Sequence, residues 1–112
     1  MKIFRREFLH LAAGAVALSL GPRMARAETY PARPVRIVVP VPPGGALDIT
    51  ARLIAQWLSE HMGQSFIVEN KPGAHTSVGI ETVVRASADG YTLLLVPPSV
   101  TVNATLYNNL NF

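Results

Sequence analysis

The chain has 112 residues, a formal net charge of +3 and no cysteine, which suits one small domain without a disulfide, a thiol nucleophile or a thiolate metal site. The excess positive charge lies in residues 1–27, because residues 28–112 carry five basic and six acidic side chains. Nucleic-acid binding is therefore not indicated, since the basic residues form no patch in the domain itself.

Residues 1–27 have the pattern of an export signal, with a basic start, the apolar run LHLAAGAVALSL and a small-x-small cleavage site at Ala25-Arg26-Ala27. The apolar run is shorter than the roughly 18–20 residues that span a bilayer, so we predict cleavage after Ala27 and a periplasmic product. Retention of the leader as an anchor is the alternative. Arg5-Arg6 resembles a twin-arginine export motif, but an ordinary basic leader would also explain the pair.

The first predicted elements are a buried strand at Val35–Val39 and a helix over about Ala46–Met62 that ends at Gly63. Asp48 falls in the first turn of this helix, where an acid suits the helix dipole. Large apolar residues recur at three- and four-residue steps and predict one buried stripe that includes Trp57. The stripe comprises Ile49, Leu53, Ile54, Trp57, Leu58 and Met62.

The remaining elements predict a parallel α/β sheet. They are a strand at Phe66–Val68, a helix from Thr76 or Ser77 to about Ser87 that buries Val78, Val83 and Val84, a strand at Tyr91–Val96 and a helical turn at 103–107. A doubly wound order of 2-1-3 places the first strand at the centre. Ligands bind such sheets beyond the carboxyl ends of the strands, which here means the loops Pro42–Asp48, Lys71–Ser77 and Pro97–Asn103.

The loop Pro42–Asp48 combines two prolines, two glycines and an acid just before a helix. Gly44 and Gly45 would present unobstructed N–H groups at the helix N-terminus, where a carboxylate or phosphate binds well. A stiff turn without a ligand explains the same residues equally well. The loop is neither a Walker A loop nor a dinucleotide-binding fingerprint, because both motifs need residues that are absent here.

Other polar residues of these loops leave alternatives open. Asp48 would cap the helix or orient the loop, or else contact a ligand. His75 lies in the second loop, where ligand contact competes with plain exposure. Ser77 and Ser99 lack an evident base, which argues against nucleophilic catalysis, and the histidines show no metal-ligand spacing.

Four motifs together resemble the receptors of tripartite tricarboxylate transporters, the Bug-type solute-binding proteins. They are Tyr-Pro-x-Arg-Pro from Tyr30, Pro-Pro-Gly-Gly-x-x-Asp from Pro42, Val-Glu-Asn-Lys-Pro-Gly-Ala from Val68 and Asp-Gly-Tyr-Thr-Leu from Asp89. The resemblance runs from Tyr30 to Phe112.

The resemblance implies a periplasmic receptor of the two-lobed, type II-like binding-protein fold, with no catalysis and no cofactor. Its ligand would be a dicarboxylate, a tricarboxylate or an acidic amino acid, its partners the membrane subunits of the transporter, and the complete protein a monomer. The implied ligand-binding residues are Pro43, Gly44, Gly45, Ala46, Asp48, His75, Thr76, Ser77, Ser99 and Asn103. Replacement of Gly44 by valine in a full-length counterpart is expected to abolish binding and to leave the fold largely intact.

The chain also departs from this pattern. His75-Thr76-Ser77 stands where glycines are common, so His75 is a candidate for ligand selection, and Asn103 is followed by Ala104 instead of proline. Family members are much longer, so residues 28–112 are expected to form one βαβαβ unit of one lobe, truncated. A non-functional remnant is the alternative function, and a small secreted α/β hydrolase is a further one.

Overall fold

The structure is a computed structural model that describes residues 26–110 and 112. Almost all of the predicted export signal, residues 1–25, lies outside the described residues. The elements are β1 (Val35–Val39), α1 (Ala46–Met62), β2 (Phe66–Asn70), α2 (Ser77–Val84), β3 (Thr92–Leu94) and α3 (Ser99–Leu106), with a 3-10 turn at Ala74–Thr76 before α2. Strand, helix, strand, helix and strand thus alternate as predicted.

The three strands form one parallel sheet in the order β2-β1-β3, which confirms the predicted order. The central strand β1 is β-branched and fully apolar apart from Arg36, as strands covered on both faces are. The chain leaves β1 towards β2 and later returns to the other side of β1, so the carboxyl end of β1 is the topological switch point. The sheet therefore places the Pro42–Asp48 loop where such folds bind ligands.

One face of the sheet packs against α1 through small residues. Ala51 and Ala55 of the helix lie against Val35, Ile37 and Val39 of β1, and Phe66 of β2 completes this cluster of buried residues. Alanine brings the helix backbone close to the β-branched strand side chains without leaving a void. The core therefore lies between the small-residue side of α1 and the centre of the sheet.

The prediction of one buried stripe on α1 is wrong for five of its six residues, since only Leu58 is partly buried against the core and Ile54 and Met62 are 41% and 37% exposed. Ile49, Leu53 and Trp57 are 53%, 64% and 57% exposed, so Trp57 is not a core residue. Alanines 51 and 55 extend the apolar arc of the helix well beyond one stripe, and the sheet packs against the alanine side. The three large residues consequently form the outer stripe of α1, on the side that faces away from the sheet.

The helix α2 also buries different residues from those predicted. Gly79 and Ile80 are buried, whereas Val78 and Val84 are exposed and the helix ends at Val84. A Cβ atom on Gly79 would lie 2.6 Å from Cβ of Pro40, so only glycine permits this approach to the end of β1. Of the three valines predicted to be buried, only Val83 is partly buried, and Ile80 is the large side chain of α2 that is buried.

The last elements differ from prediction in length. The strand β3 has three residues, and α3 begins at Ser99, four residues before the predicted helical turn. Pro98 takes the N-cap position, and the N–H groups of Val100 and Thr101 donate to the carbonyls of Pro97 and Pro98. Proline is tolerated at a helix start because the first N–H groups have no helical acceptor, so the proline pair initiates α3 as well as ending β3.

Residues at the amino terminus of the domain are bound to the start of β3. The Tyr30 hydroxyl donates to the carbonyl of Gly90, and Arg33 forms an ion pair of 2.8 Å with Asp89. The Arg33 guanidinium also lies 4.1 Å above the ring of Tyr91. These contacts, which we call the N-terminal clamp, join two of the sequence motifs at the amino-terminal end of the sheet.

Candidate functional site

The Pro42–Asp48 loop joins the carboxyl end of β1 to α1 and is exposed along 42–46. Gly44 has a φ of +94°, a left-handed conformation that favours glycine. Gly45 is the N-cap of α1, with extended backbone and no side-chain cap. The first N–H groups of a helix have no helical acceptor, so those of Gly45, Ala46 and Leu47 belong to an uncapped helix start.

A buried carboxylate holds this loop in place. Asp48 has a side chain only 3% exposed, and its Oδ2 accepts hydrogen bonds from the Gly44 N–H (3.0 Å) and from Nε of Arg52 (2.9 Å). Its Oδ1 accepts from Nδ2 of Asn70 (2.8 Å), which also donates to the carbonyl of Val41 (3.1 Å). Nη2 of Arg52 donates to Oδ1 of Asn70 (3.1 Å), so Asp48, Arg52 and Asn70 are each bonded to the other two. We call these residues the Asp48 network.

The Asp48 network changes which loop donors a ligand would meet. The Gly44 N–H, expected to face a ligand, is engaged by Asp48 within the loop. The donors at the helix start are therefore those of Gly45, Ala46 and Leu47. The contacts of Asp48 are those of a residue that orients the loop, which was one of the two roles considered from the sequence.

Arg52 and Asn70 were not identified from the sequence as site residues. The spacing of Asp48 and Arg52, four residues apart on a helix, is a usable signal for an ion pair. Asn70 gives a weaker signal, because its position depends on the register that pairs it with Val39 at the end of β1. The predicted second strand ended two residues earlier, so it did not extend to Asn70.

The ionisation of Asp48 predicts a specific acid sensitivity. Hydrogen bonds from Arg52, Gly44 and Asn70 lower its pKa from 3.8 to about 2. Ionised Asp48 thus stabilises the fold fully above pH 4, and this contribution is lost as the pH falls from about 4 to about 2. We expect Asp48→Asn to reduce the pH dependence of the urea midpoint in this range, as measured by circular dichroism.

Two other acids with lowered pKa values also make the stability of the chain depend on pH in the acid range. The pKa of Glu69 is lowered mainly by its hydrogen bond with Lys71, and that of Asp89 mainly by the N–H of Tyr91. Both remain in the Asp48→Asn variant, so the difference between variant and wild type reports on Asp48. An equally steep loss of stability in the two proteins would show that Asp48 is not held ionised by the network.

A concave region lies between the 3-10 turn and the chain after α3, apart from the Pro42–Asp48 loop. This tail cleft has a volume of about 380 Å³ and brings together the predicted site residues His75, Ser77 and Asn103. Nδ2 of Asn103 donates to the carbonyl of His75 at 3.2 Å. The remaining lining residues are Ala74, Leu106, Tyr107, Asn108, Asn109 and Leu110. Among the described residues, neither the Pro42–Asp48 loop nor Thr76 or Ser99 lines the cleft.

The backbone beside the tail cleft has a positive φ at four consecutive residues. Gly73 has a φ of +131°, and Ala74, His75 and Thr76 have φ values of +45°, +51° and +77°. Each residue other than glycine costs roughly 1–2 kcal/mol in this conformation. The Thr76 hydroxyl is also buried without a hydrogen-bond partner in the described part of the chain. Glycine would therefore suit these positions better than the residues found here.

Two arrangements that the sequence raised, a metal-ligand cluster and a serine–histidine pair, can be checked in residues 26–110 and 112. No group of three or more His, Asp or Glu side chains there could hold a metal ion. Within the same residues, no hydrogen bond joins Ser99 to His75, the pair that a hydrolase would need. The described helices also include none with the length and apolar character to cross a membrane.

Comparison with known proteins gives a consistent set of similar chains. A family model described as tripartite tricarboxylate transporter family receptor matches residues 50–112. A UPF0065 protein of Bordetella pertussis is 44% identical over 98 residues, which cover 87% of this chain and 30% of that protein. Protein BugT of the same organism is 48% identical over 69 residues, which cover 62% of this chain and 21% of BugT.

Solved structures agree with these sequence matches. The periplasmic binding protein BugD is 40% identical with a TM-score of 0.70, and an R. palustris protein solved with adipate is 39% identical with the same TM-score. Each match covers 74% of this chain and 28% of the other. The three-stranded parallel unit thus has the fold of part of a periplasmic binding protein, and the chain spans less than a third of the length of these relatives.

Proposed function

Because the chain belongs to the tripartite tricarboxylate transporter receptor family, we propose that it forms the N-terminal part of a periplasmic receptor for small organic carboxylates. The observation that supports this most directly is the position of the Pro42–Asp48 loop. The loop presents the uncapped start of α1 at the carboxyl end of the central strand, at the switch point of the sheet.

The chemistry of the loop suits a carboxylate. The N–H groups of Gly45, Ala46 and Leu47 would donate to its oxygens, and the partial positive charge of the helix N-terminus favours a negative ligand. Neither Gly44 nor Gly45 carries a side chain that obstructs approach. Asp48 orients the loop through its hydrogen bond with the Gly44 N–H. Pro43 stiffens the loop, and this stiffness reduces the entropy lost on binding.

The tail cleft would contribute the second set of ligand contacts. Ser77 offers a hydroxyl and Asn103 an amide, and His75 is the candidate for selection among ligands. Thr76 is included in the proposed site because it lies between His75 and Ser77, and Ser99 because it lies one helical turn before Asn103 on α3. The relative solved with adipate supports a dicarboxylate as the class of ligand.

The proposed role also has a cellular context. The leader would be removed after Ala27 in the periplasm, and the loaded receptor would deliver its ligand to the membrane subunits of a tripartite transporter. Capture and release make and break no covalent bond, so the role requires neither catalytic residues nor a cofactor. A complete receptor would act as a monomer.

Isothermal titration of the purified chain with adipate tests the proposal. We expect heat of binding that saturates at one adipate per chain. Titrations with the shorter succinate and with citrate, which has three carboxylates, would then show which ligand length and charge the chain prefers. Neutral adipamide serves as the control ligand and should bind far more weakly, because it lacks the carboxylates. A folded sample that gives no heat with any of the acids would support the non-functional remnant instead.

Gly45→Ser is expected to change binding and stability in opposite directions. A serine at the N-cap accepts a hydrogen bond from the second or third N–H of the helix, which stabilises α1 by a few tenths of a kcal/mol relative to glycine. The same hydroxyl occupies donors that adipate would use, so adipate should bind several-fold more weakly. Calorimetric titration and urea denaturation of one sample measure both effects.

Gly44 provides the comparison for this variant. Its φ of +94° means that any side chain strains the loop, so the expectation that Gly44→Val leaves the fold intact is corrected. Gly44→Ser should lower stability as well as binding, whereas Gly45 has a φ of −81° and open space around a Cβ. Unchanged adipate affinity in Gly45→Ser would argue against carboxylate binding at the start of α1.

A further inference from the structure

We propose that Arg52 is a positioning residue that allows the Pro42–Asp48 loop to bind an anion, because its guanidinium balances the buried charge of Asp48. This inference rests on the proposed carboxylate-binding function of the loop. It assigns a role to a residue that lies outside the loop itself.

The need for such a residue follows from where Asp48 lies. Its carboxylate is in the first turn of α1 and bonds to the N–H of Gly44, directly beside the donors at the helix start. A negative charge at this position repels an anionic ligand, and the repulsion is strong because little water screens a buried charge. The same carboxylate is required to hold the loop, so the charge has to be balanced locally.

Arg52 is placed to supply that balance. Its Nε donates to Oδ2 of Asp48 at 2.9 Å, and its Nη2 donates to Oδ1 of Asn70 at 3.1 Å. Asn70 in turn donates to the other Asp48 oxygen at 2.8 Å, so both carboxylate oxygens are bound and the guanidinium is held from two sides. An arginine keeps its charge at all ordinary pH values, so the network is neutral overall.

The other ion pairs in the described part of the chain differ from this one in burial. Their acid side chains are 28–39% exposed, compared with 3% for Asp48. Water reaches these partly exposed acids and screens their charge, so such pairs have a smaller energetic effect than a buried one. Asp48 is thus the acid whose charge depends most on its arginine. Arg85 with Glu81 has the same four-residue spacing on a helix, but its acid side chain is 28% exposed, which makes it a matched control.

The test compares adipate binding to the full chain and to Arg52→Gln, Arg52→Lys and Arg85→Gln. Loss of the balancing charge should weaken adipate about tenfold in Arg52→Gln, as expected for one poorly screened charge near the ligand. Arg52→Lys keeps the charge and should retain most of the affinity. Arg85→Gln should bind like wild type. Thermal melts by circular dichroism identify any variant that loses its fold.

A double variant separates charge balance from mere support of the loop. Adding Asp48→Asn to Arg52→Gln removes the uncompensated charge but also one partner of the loop contacts. Charge balance predicts that adipate binding recovers relative to Arg52→Gln, whereas a purely structural role predicts a further loss. Equal adipate affinity in wild type and Arg52→Gln would overturn this inference alone. Absence of adipate binding to folded wild type would overturn the proposed function, and this inference with it.

Discussion

Replacement of Ile37 by alanine is expected to lower the free energy of unfolding by about 2–5 kcal/mol. Ile37 is 4% exposed at the middle of the central strand, in the cluster that packs against Ala51 and Ala55. The large effect has two causes, the loss of buried apolar surface and the cavity that remains between sheet and helix. Urea denaturation followed by far-ultraviolet circular dichroism measures it.

Ile67 provides a matched control for this change. It lies on the neighbouring strand β2 and is 55% exposed, so the same substitution removes a side chain that is largely in water. Ile67→Ala should therefore cost well under half of the loss in Ile37→Ala. Similar losses in the two variants would mean that the core does not lie between α1 and the central strand.

Gly79→Ala is expected to destabilise the chain by about 1–3 kcal/mol, the usual cost of overpacking. The new Cβ would lie 2.6 Å from Cβ and 2.9 Å from Cα of Pro40, and 3.0 Å from the carbonyl oxygen of Lys71. Two of these three atoms belong to the backbone and do not move aside easily. The helix α2 would have to shift, which would also displace Ser77 and the tail cleft.

The sign of this effect makes the measurement decisive. Glycine to alanine inside a helix normally stabilises by roughly 0.5–1 kcal/mol, so a loss of stability reports the contact with Pro40. Gly45→Ala is the control, because a Cβ there meets nothing within 4 Å and the φ is −81°. A Gly79→Ala variant as stable as wild type would mean that α2 does not pack so closely on the end of β1.

Much of the fold could be predicted because local signals determine it. The β-branched run between prolines defines β1, and Gly63, with a φ of +73°, ends α1 where the sequence predicted. The alternation of strands and helices then leaves few parallel arrangements, and the predicted one is observed. These features depend on neighbours in the chain or on general rules of handedness.

The orientation of the helices depends on contacts that the sequence does not state. Large residues suggested that Trp57 faces the core, whereas the sheet packs against Ala51 and Ala55. Likewise, the close contact of Gly79 with Pro40 decides which side of α2 is buried. A helix that is apolar over most of its circumference offers more than one side for packing, so periodicity alone cannot select the buried one.

The candidate site was predicted in part. The loop position followed from strand order, and the tail cleft joins His75 and Ser77 of one predicted loop to Asn103 of another. The engagement of the Gly44 N–H by Asp48 could not be foreseen, because it depends on a side-chain conformation that Arg52 and Asn70 fix together. Such a network requires the strand register as well as the helix.

The N-terminal clamp has a practical consequence for measurements on this chain. It binds Tyr30 and Arg33 at the amino-terminal end of the sheet, whereas the Pro42–Asp48 loop lies beyond the carboxyl end of β1. Five strand residues span about 16 Å, so an affinity tag or fluorophore fused before Tyr30 would project from the opposite end of the sheet. Immobilisation through the amino terminus therefore leaves the loop open to dissolved carboxylates, whereas attachment near Gly44 would block it.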